Sequence, residues 1–301
     1  MCIKFKKEVE IMKKCLSLTL AGAMMLSLAA CGTKTEKNNN EEVATDWSYI
    51  QDKGVMTIGV TNYPPMNYLD DNGEWTGFDT EFAQAVGERL GVDVEFVEIS
   101  WEAKETELSS KNIDCLWNGM CITEDRKEMW EVTEPYMYNT QAMVMKADKA
   151  EEIMQDVSGK KVVAEAGSTG EEKLLGVIDD TNDNTVEVMA KEYFANSEYT
   201  GVESMATALM DVQNGVADIA LVDSVIAQGM IEGEGSTLTD LVINTDNKFG
   251  AQYFGIAFRK GSDACEKVNN AISELVASGD LDEIAAKYGL TEGIAAAANA
   301  Q

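Results

Sequence analysis

The chain has 301 residues, of which 45% are hydrophobic and 26% are charged, so it is long enough to bury one large core or two moderate cores. Aspartate and glutamate total 53 against 24 lysines and arginines, and the formal net charge is -29. This excess of negative charge argues against nucleic-acid binding, because phosphates would be repelled. The chain contains no histidine, which removes the usual general base and the commonest metal ligand. We therefore expect neither a metal nor another cofactor.

Residues 1–30 have the features of a secretory signal peptide. A basic pair, Lys13–Lys14, precedes the apolar residues 15–28, and residues 28–32 read LAACG, an order typical of such signals. The last run resembles a bacterial lipobox. This resemblance implies cleavage before Cys31, a lipid such as palmitate on that cysteine, and a lipoprotein held at the outer face of the cytoplasmic membrane or in the periplasm. An ordinary signal peptide is the alternative, whereas a membrane span is disfavoured because the apolar run is short.

Residues 31–45 are polar and contain too few apolar side chains to fold, so they are predicted to form a flexible tether. The first ordered element is predicted at Met56–Val60, a short run rich in residues that favour strands. Tyr63 follows in a loop. Two prolines directly after it restrict the backbone and should hold the tyrosine in one orientation.

The next residues alternate between helical and extended patterns. Asp79 is predicted to cap a helix that ends at Gly91, because apolar residues recur every four positions between them. Residues 92–99 alternate as a strand, Trp101 lies in the loop that follows, and residues 105–110 are predicted as a second helix. This alternation predicts an α/β domain with a largely parallel sheet.

The second half of the chain continues the same alternation. Its predicted elements, in chain order, are an extended segment at 132–138, strands at 141–145 and 162–164, a helix at 203–214, strands at 217–222 and 251–258, helices at 264–278 and 280–288, and an alanine-rich tail at 291–301 that frays.

Between these halves, the stretch Ile113–Arg126 reads IDCLWNGMCITEDR. It is predicted to start as a buried strand at residues 113–117, pass through Asn118–Gly119 and enter a helix capped by Thr123. Arg126 would then carry a positive charge in a first helical turn, which is unfavourable. The residue therefore needs an anionic partner, either a nearby acid in a surface ion pair or a bound carboxylate.

Residues 118–126 also resemble the NG-[MF]-[TS]-IT-x-x-R motif of the family 3 extracellular solute-binding proteins, the amino-acid receptors of ABC importers. The resemblance extends from about Met56 to Leu290. It implies a two-lobed α/β fold of the periplasmic-binding-protein type (type II), with the ligand in the cleft between the lobes and no enzymatic activity. The implied partners are a free amino acid and the permease subunits of an ABC transporter, with the N-terminal lipid as the membrane contact and a monomeric state.

Chain order in this family implies a discontinuous first lobe, residues 46–140 plus 251–290. The second lobe is then formed by residues 141–250. Two crossing segments, near residues 138–141 and 248–253, would form the hinge, and ligand binding would close the lobes.

Two groups of residues are expected to bind the α-carboxylate of the ligand. The resemblance assigns this role to Arg126 from the first lobe, and to the backbone N–H groups of Thr169 and Gly170, with a hydroxyl of Ser168 or Thr169, from the second. These three residues lie in a loop of small residues that runs into a predicted helix. Free N–H groups at such a helix start attract anions.

The α-ammonium is expected to bind Asp223, helped by the Gly119 carbonyl. Asp223 ends a predicted buried strand, a position that faces the ligand crevice in open α/β sheets. The alternative role for Asp223 is a helix N-cap. Cys121 departs from the family motif, which has threonine or serine there, and a thiol is a weak acceptor for an ammonium. Cys121 either loses that contact or is a reactive thiol of the pocket. Whether it pairs with Cys115 stays open.

Tyr63, Trp101 and Trp117 are expected to line the pocket for the ligand side chain, with core packing as the alternative, above all for Trp117 inside its strand. Receptors for basic amino acids in the family often carry an aspartate just before the tyrosine loop, which residues 60–62 lack. Ala166 stands where a glutamine receptor would have lysine. These two absences predict a neutral or polar amino acid, unless the neighbouring Glu165 points into the cleft.

Two rival functions remain at this point. A periplasmic dehydratase of the same fold would need a positioned acid or base, and a ligand-sensing subunit would need a separate signalling protein. A purely structural lipoprotein is disfavoured, because it would not need Arg126 and Asp223 together.

Overall fold

The computed structural model describes residues 45–178, 189–233, 236–244 and 249–298. The predicted signal peptide, the lipidation at Cys31 and nearly all of the predicted tether fall in residues 1–44, outside the described part. Within the described residues, no helix is both long and apolar enough to cross a membrane.

The described chain alternates between strands and helices, as the sequence pattern predicts. In chain order the elements are α1 (Asp46–Lys53), β1 (Val55–Val60), β2 (Tyr68–Leu69), β3 (Trp75–Thr76), α2 (Phe78–Leu90), β4 (Asp93–Glu98), a 3-10 turn (Trp101–Ala103), α3 (Lys104–Ser109), β5 (Cys115–Cys121), α4 (Glu124–Met129), β6 (Trp130–Val132), β7 (Met137–Lys146), α5 (Ala150–Gln155), β8 (Lys161–Glu165), α6 (Thr169–Leu175), α7 (Ala190–Tyr193), β9 (Glu198–Val202), α8 (Met205–Gln213), β10 (Ile219–Asp223), α9 (Ser224–Ile231), β11 (Leu241–Asn244), β12 (Ala251–Arg259), α10 (Ala264–Ser278), α11 (Asp280–Lys287) and α12 (Thr291–Ala298).

Strand β7 connects two regions of the main sheet. The first region contains β4, β1, β5, β12 and β6, and the second contains β10, β8, β9 and β11. In the described residues the strand order is β4-β1-β5-β12-β7-β10-β8-β9, with β6 beside β12 and β11 beside β7. The pairs β1–β4, β1–β5, β8–β10 and β8–β9 are parallel, whereas β12 and β7 run antiparallel to their neighbours. Residues 137–140 of β7 pair with β12, and residues 141–145 pair with β10. The chain therefore passes from one sheet region to the other within a single strand.

The carboxyl ends of the parallel strands bring polar side chains from both regions to one edge. Strand β1 leads into the loop of Tyr63, β5 ends at Cys121, β8 ends at Glu165 and β10 ends at Asp223. Ligands of open α/β sheets bind outside this edge of the strands. The topology therefore indicates where a binding site should be sought.

Helices α2, α10 and α11 cover the first sheet region. Phe82 of α2 is fully buried and packs edge to face against Trp117 of β5, with 5.0 Å between the ring centres. Helix α2 ends at Gly91, whose φ of 71° closes the last turn. The predicted bounds of α10 and α11 are confirmed to within one residue.

The start of α2 differs from the prediction. Gly77 occupies the N-cap position, and Asp79 lies inside the helix with its side chain buried. Its carboxylate instead accepts hydrogen bonds from the Gly119 N–H and the Tyr136 hydroxyl, each at 2.9 Å. Asp79 therefore ties the helix to the turn inside β5.

An N-terminal helix precedes the strand that was predicted as the first ordered element. Helix α1 is capped by Thr45, whose hydroxyl accepts from the Ser48 N–H at 3.2 Å, and it ends at Gly54 with φ of 74°. These capping residues are visible in the sequence. The residues between these caps are mostly polar, so the apolar pattern that would predict a helix is weak. Only Trp47 and Ile50 are buried.

The alanine-rich tail forms a helix, so the prediction that it frays is wrong for residues 291–298. Ile294 and Ala297 are buried, and the helix contacts β7. Alanine has the highest helix propensity, and burial of these two side chains supplies the packing energy that a short helix needs.

Candidate functional site

A small polar cavity lies where the carboxyl ends of the strands meet. Its volume is about 20 Å³, which is room for about one water molecule. This volume is smaller than a free amino acid. The lining holds every predicted ligand-binding residue except Trp117 and Gly170; it consists of Tyr63, Trp101, Asn118, Gly119, Cys121, Arg126, Glu165, Ser168, Thr169, Met205 and Asp223.

Arg126 is positioned by the helix start that the motif predicts. The Thr123 hydroxyl accepts from the Arg126 N–H at 3.3 Å. The guanidinium is buried and donates to the Cys121 carbonyl at 2.9 Å, to the Thr169 hydroxyl at 3.1 Å and to both carboxylate oxygens of Glu172 at 3.1 Å. The anionic partner is therefore an acid from the opposite sheet region, and neither of the two acids that precede Arg126 in its own helix.

The Asp223 carboxylate faces the cavity and accepts three strong hydrogen bonds. Tyr63 donates its hydroxyl at 3.0 Å, Asn139 donates its amide at 2.7 Å, and the Gln141 amide is also bonded to it. Asp223 occupies the N-cap position of α9, but its side chain makes no capping bond. Burial raises its pKa to about 6, although the three donors and the charge of Arg126 lower it.

Cys121 is a buried thiol at the end of β5 that faces the Asp223 carboxylate. Its sulfur lies 3.8 Å from Asp223 Oδ1 and 3.6 Å from Gln252 Oε1. Burial, followed by the charge of Asp223, raises the pKa of this thiol well above its ordinary value, so it stays protonated and points its weak donor at these acceptors. Cys115, Cys121 and Cys265 are all free and buried, so the first two do not pair with each other.

Gly119 allows the Tyr63 ring to approach strand β5. Its φ is 57°, and a Cβ at this position would lie 2.2 Å from Tyr63 Cε1. The turn therefore requires glycine for both its conformation and its space. The strand itself continues through this turn to Cys121, rather than ending at Trp117 as predicted.

The small-residue loop lies across the cavity from Arg126. Ser168 caps α6, because its hydroxyl accepts from the Glu171 N–H at 3.2 Å. Ser168 and Thr169 line the cavity. Gly170 does not: a Cβ there would lie 2.8 Å from Gln141 Oε1, so this glycine packs against β7.

The three predicted aromatic walls separate into two groups. Tyr63 and Trp101 line the cavity. Trp117 has no exposed surface and packs on Phe82 in the core. The structure therefore places Trp117 in the core-packing role that the sequence analysis gives as the alternative.

Amide side chains on the crossing strands hold the site together, and sequence reasoning missed them. Asn139 and Gln141 both donate to Gln252 Oε1, at 3.3 and 2.9 Å. Asn118 bonds to the Thr61 and Asn67 side chains at 2.7 Å each. The available signal was a polar residue inside an otherwise apolar strand, which needs a partner when buried. Met205 and Glu165 complete the cavity wall.

No cluster of three or more cysteine and carboxylate side chains suited to a metal ion occurs in the part of the chain that the structure describes. The cavity brings together one buried guanidinium, Arg126, and two buried acids, Asp223 and Glu165, in a space enclosed by aromatic rings and small residues.

A two-lobed α/β fold with charged side chains at the carboxyl ends of its strands is typical of solute-binding proteins. The family model for bacterial extracellular solute-binding proteins, family 3, matches residues 56–291. The chain belongs to this family, which confirms both the resemblance and the fold that it implies.

Three comparisons illustrate this similarity. The chain is 30% identical to the L-cystine-binding protein TcyA of Bacillus subtilis (strain 168), covering 92% of this chain and 97% of the relative. It is 29% identical to the L-cystine-binding protein TcyJ of Escherichia coli (strain K12), covering 89% and 94%. A substrate-binding protein of an ABC uptake transporter from Streptococcus pneumoniae, solved with bound histidine, superposes with a TM-score of 0.71 at 29% identity, covering 83% of this chain and 98% of that one.

Proposed function

We propose that this protein is the extracytoplasmic receptor of an ABC importer, which binds a free amino acid between two closing lobes and delivers it to the permease. The observation that carries the proposal is the presence of the buried Arg126 guanidinium and the buried Asp223 carboxylate in one cavity. A zwitterion needs one fixed cation and one fixed anion, since a buried charge without a partner is very costly. The relatives named for cystine and histidine binding support the same role.

The ligand's two charged groups take different partners. Its α-carboxylate binds Arg126 in place of Glu172, with the Thr169 hydroxyl already 3.1 Å from the guanidinium. Its α-ammonium binds Asp223 and the Gly119 carbonyl. The Asn139 and Gln141 amides keep the Asp223 carboxylate in the same orientation with and without ligand.

The lobes of this proposal are residues 46–140 plus 251–290 and residues 141–250. The change of pairing partner within β7, between residues 140 and 141, supports a hinge at 138–141. The second crossing of this proposal is near residues 248–253, of which residue 248 lies outside the described residues. We further propose a monomer that is anchored through a lipid on Cys31, at the outer face of the cytoplasmic membrane or in the periplasm.

The test is thermal unfolding of the purified protein, after ligand removal in denaturant and refolding, with each of the twenty amino acids and L-cystine. A ligand that binds only the folded state stabilises it by about 2.7 kcal/mol at a hundredfold excess over Kd. We expect a large rise in Tm with one or a few L-amino acids and none with their D-enantiomers at the same concentration. If no amino acid raises the Tm, the receptor assignment is wrong, and prephenate-like acids become the ligands to test.

The affinity for the amino acid should fall in acid. Asp223, with a pKa of about 6, attracts the α-ammonium when it is ionised. Protonation therefore weakens binding as the pH drops below 6, and the Kd at pH 5 should be about tenfold higher than at pH 7. Isothermal titration calorimetry at both pH values measures this ratio.

The control is Asp223→Asn, which cannot ionise. Its binding should be weak, and the tenfold change in Kd that Asp223 contributes should be lost; any pH dependence that remains belongs to Glu165, whose pKa is about 8. A wild-type Kd that stays constant from pH 7 to pH 5 would contradict the role of Asp223.

A further inference from the structure

Glu165 is a buried acid that lines the cavity beside Asp223. It ends β8, which pairs in parallel with β10, the strand that ends at Asp223. Its side chain is 5% exposed. Its Oε1 atom has no hydrogen-bond partner among the residues that the structure describes, although buried polar atoms are nearly always paired.

The surroundings leave Glu165 short of positive charge. Burial, followed by the charge of Asp223, raises its pKa to about 8, while Lys104 lowers it. Two acidic side chains thus share one cavity. Glu165 keeps its proton at neutral pH while the cleft is empty, and a cation placed against it would favour the ionised form.

We propose that Glu165 makes this cleft selective for amino acids whose side chain ends in a positively charged nitrogen. The proposal rests on the proposed function, because it assigns the α-ammonium to Asp223 and the distal cation to Glu165. Both side chains line the same small cavity, so their carboxyl groups can reach two nitrogens of one small ligand. The sequence predicts a neutral or polar ligand unless Glu165 points into the cleft. Glu165 lines the cavity, so this proposal replaces that prediction.

Two kinds of ligand carry such a nitrogen. The side chain of lysine or arginine ends in the cation alone, whereas the second amino group of cystine has a carboxylate beside it. Lys104 distinguishes them. It is buried, its Nζ donates to the Gly167 carbonyl at 2.8 Å and lies 5.3 Å from the centre of the Trp101 ring. A second carboxylate on the ligand would bind Lys104, whereas lysine or arginine would leave Lys104 on Gly167.

The test compares ligands that differ in the distal charge. Calorimetry gives Kd values for L-lysine against L-norleucine and for L-arginine against L-citrulline, in the wild type, in Glu165→Gln and in Glu198→Gln. Glu198 is an exposed acid of the same sheet region. We expect the wild type and Glu198→Gln to favour the charged member by on the order of 30-fold or more, and Glu165→Gln to lose that preference while it keeps its affinity for norleucine or citrulline.

L-cystine and Lys104→Met complete the design. If cystine is the ligand, Glu165→Gln and Lys104→Met each weaken it at least about tenfold, since each removes one buried charged partner. If lysine or arginine is the ligand, only Glu165→Gln does so. The role of Glu165 alone is overturned if the charge preference survives in Glu165→Gln, or if the wild type has no such preference and Glu165→Gln leaves cystine binding unchanged. A wild type that binds no amino acid of any kind overturns the receptor assignment as well.

Discussion

Replacing Arg126 by methionine should strongly weaken amino-acid binding, with the Kd rising at least about 30-fold. The side chain is 2% exposed, and in the proposed function it is the cation that binds the ligand carboxylate. Truncating one partner of a buried, hydrogen-bonded charge pair costs about 2–5 kcal/mol or more, and every 1.4 kcal/mol is about tenfold in Kd. Titration calorimetry with the amino acid found by the thermal screen measures the loss.

The matched control removes the acid that forms an ion pair with Arg126 in the structure. Glu172→Gln keeps the guanidinium and takes away a carboxylate that bonds it at 3.1 Å. Because the ligand carboxylate no longer competes with Glu172, this variant should bind at least as tightly as the wild type. Equal loss of binding in both variants would show that the contact across the cleft, rather than the cation, is what the ligand requires.

Local sequence patterns predicted most helices and strands because their causes are local. Helix α2 follows from apolar residues four apart and from Gly91. Helix α12 was missed because its stability comes from burial of Ile294 and Ala297, and distant packing partners leave no local pattern. The start of α2 was misassigned for a related reason: the Asp79 carboxylate is recruited by Gly119, 40 positions away.

The candidate site was predictable to the extent that one motif carried it. The motif and the family resemblance led to Arg126 and Asp223, which the structure brings into one cavity. Neither indicated that Glu172 is the partner of Arg126, because the two residues are 46 positions apart and belong to different sheet regions. The amide contacts of Asp223 span 82 and 84 positions, at Gln141 and Asn139. Such pairings depend on how β7 crosses the sheet, which a single sequence does not show.

Trp117 should prove to be a stability residue and Trp101 a binding residue, although both were predicted as pocket walls. Trp117 has no exposed surface and packs on Phe82. Truncating such a side chain costs about 3–5 kcal/mol, so Trp117→Ala should lower the Tm of the ligand-free protein by roughly 6 to 20 °C. Trp101 lines the cavity, so Trp101→Ala should instead weaken ligand binding at least about tenfold, as the loss of a buried aromatic contact does at binding sites.

Thermal unfolding without ligand and calorimetry with ligand separate these two roles. Trp117→Phe serves as the second variant, because it keeps an aromatic ring against Phe82 and so retains a folded protein for titration. Its affinity should match the wild type, since Trp117 lies outside the cavity lining. If Trp117→Phe lost affinity while its Tm stayed unchanged, Trp117 would contact the ligand. The cleft would then have to extend further along β5 than the Tyr63–Gly119 contact suggests.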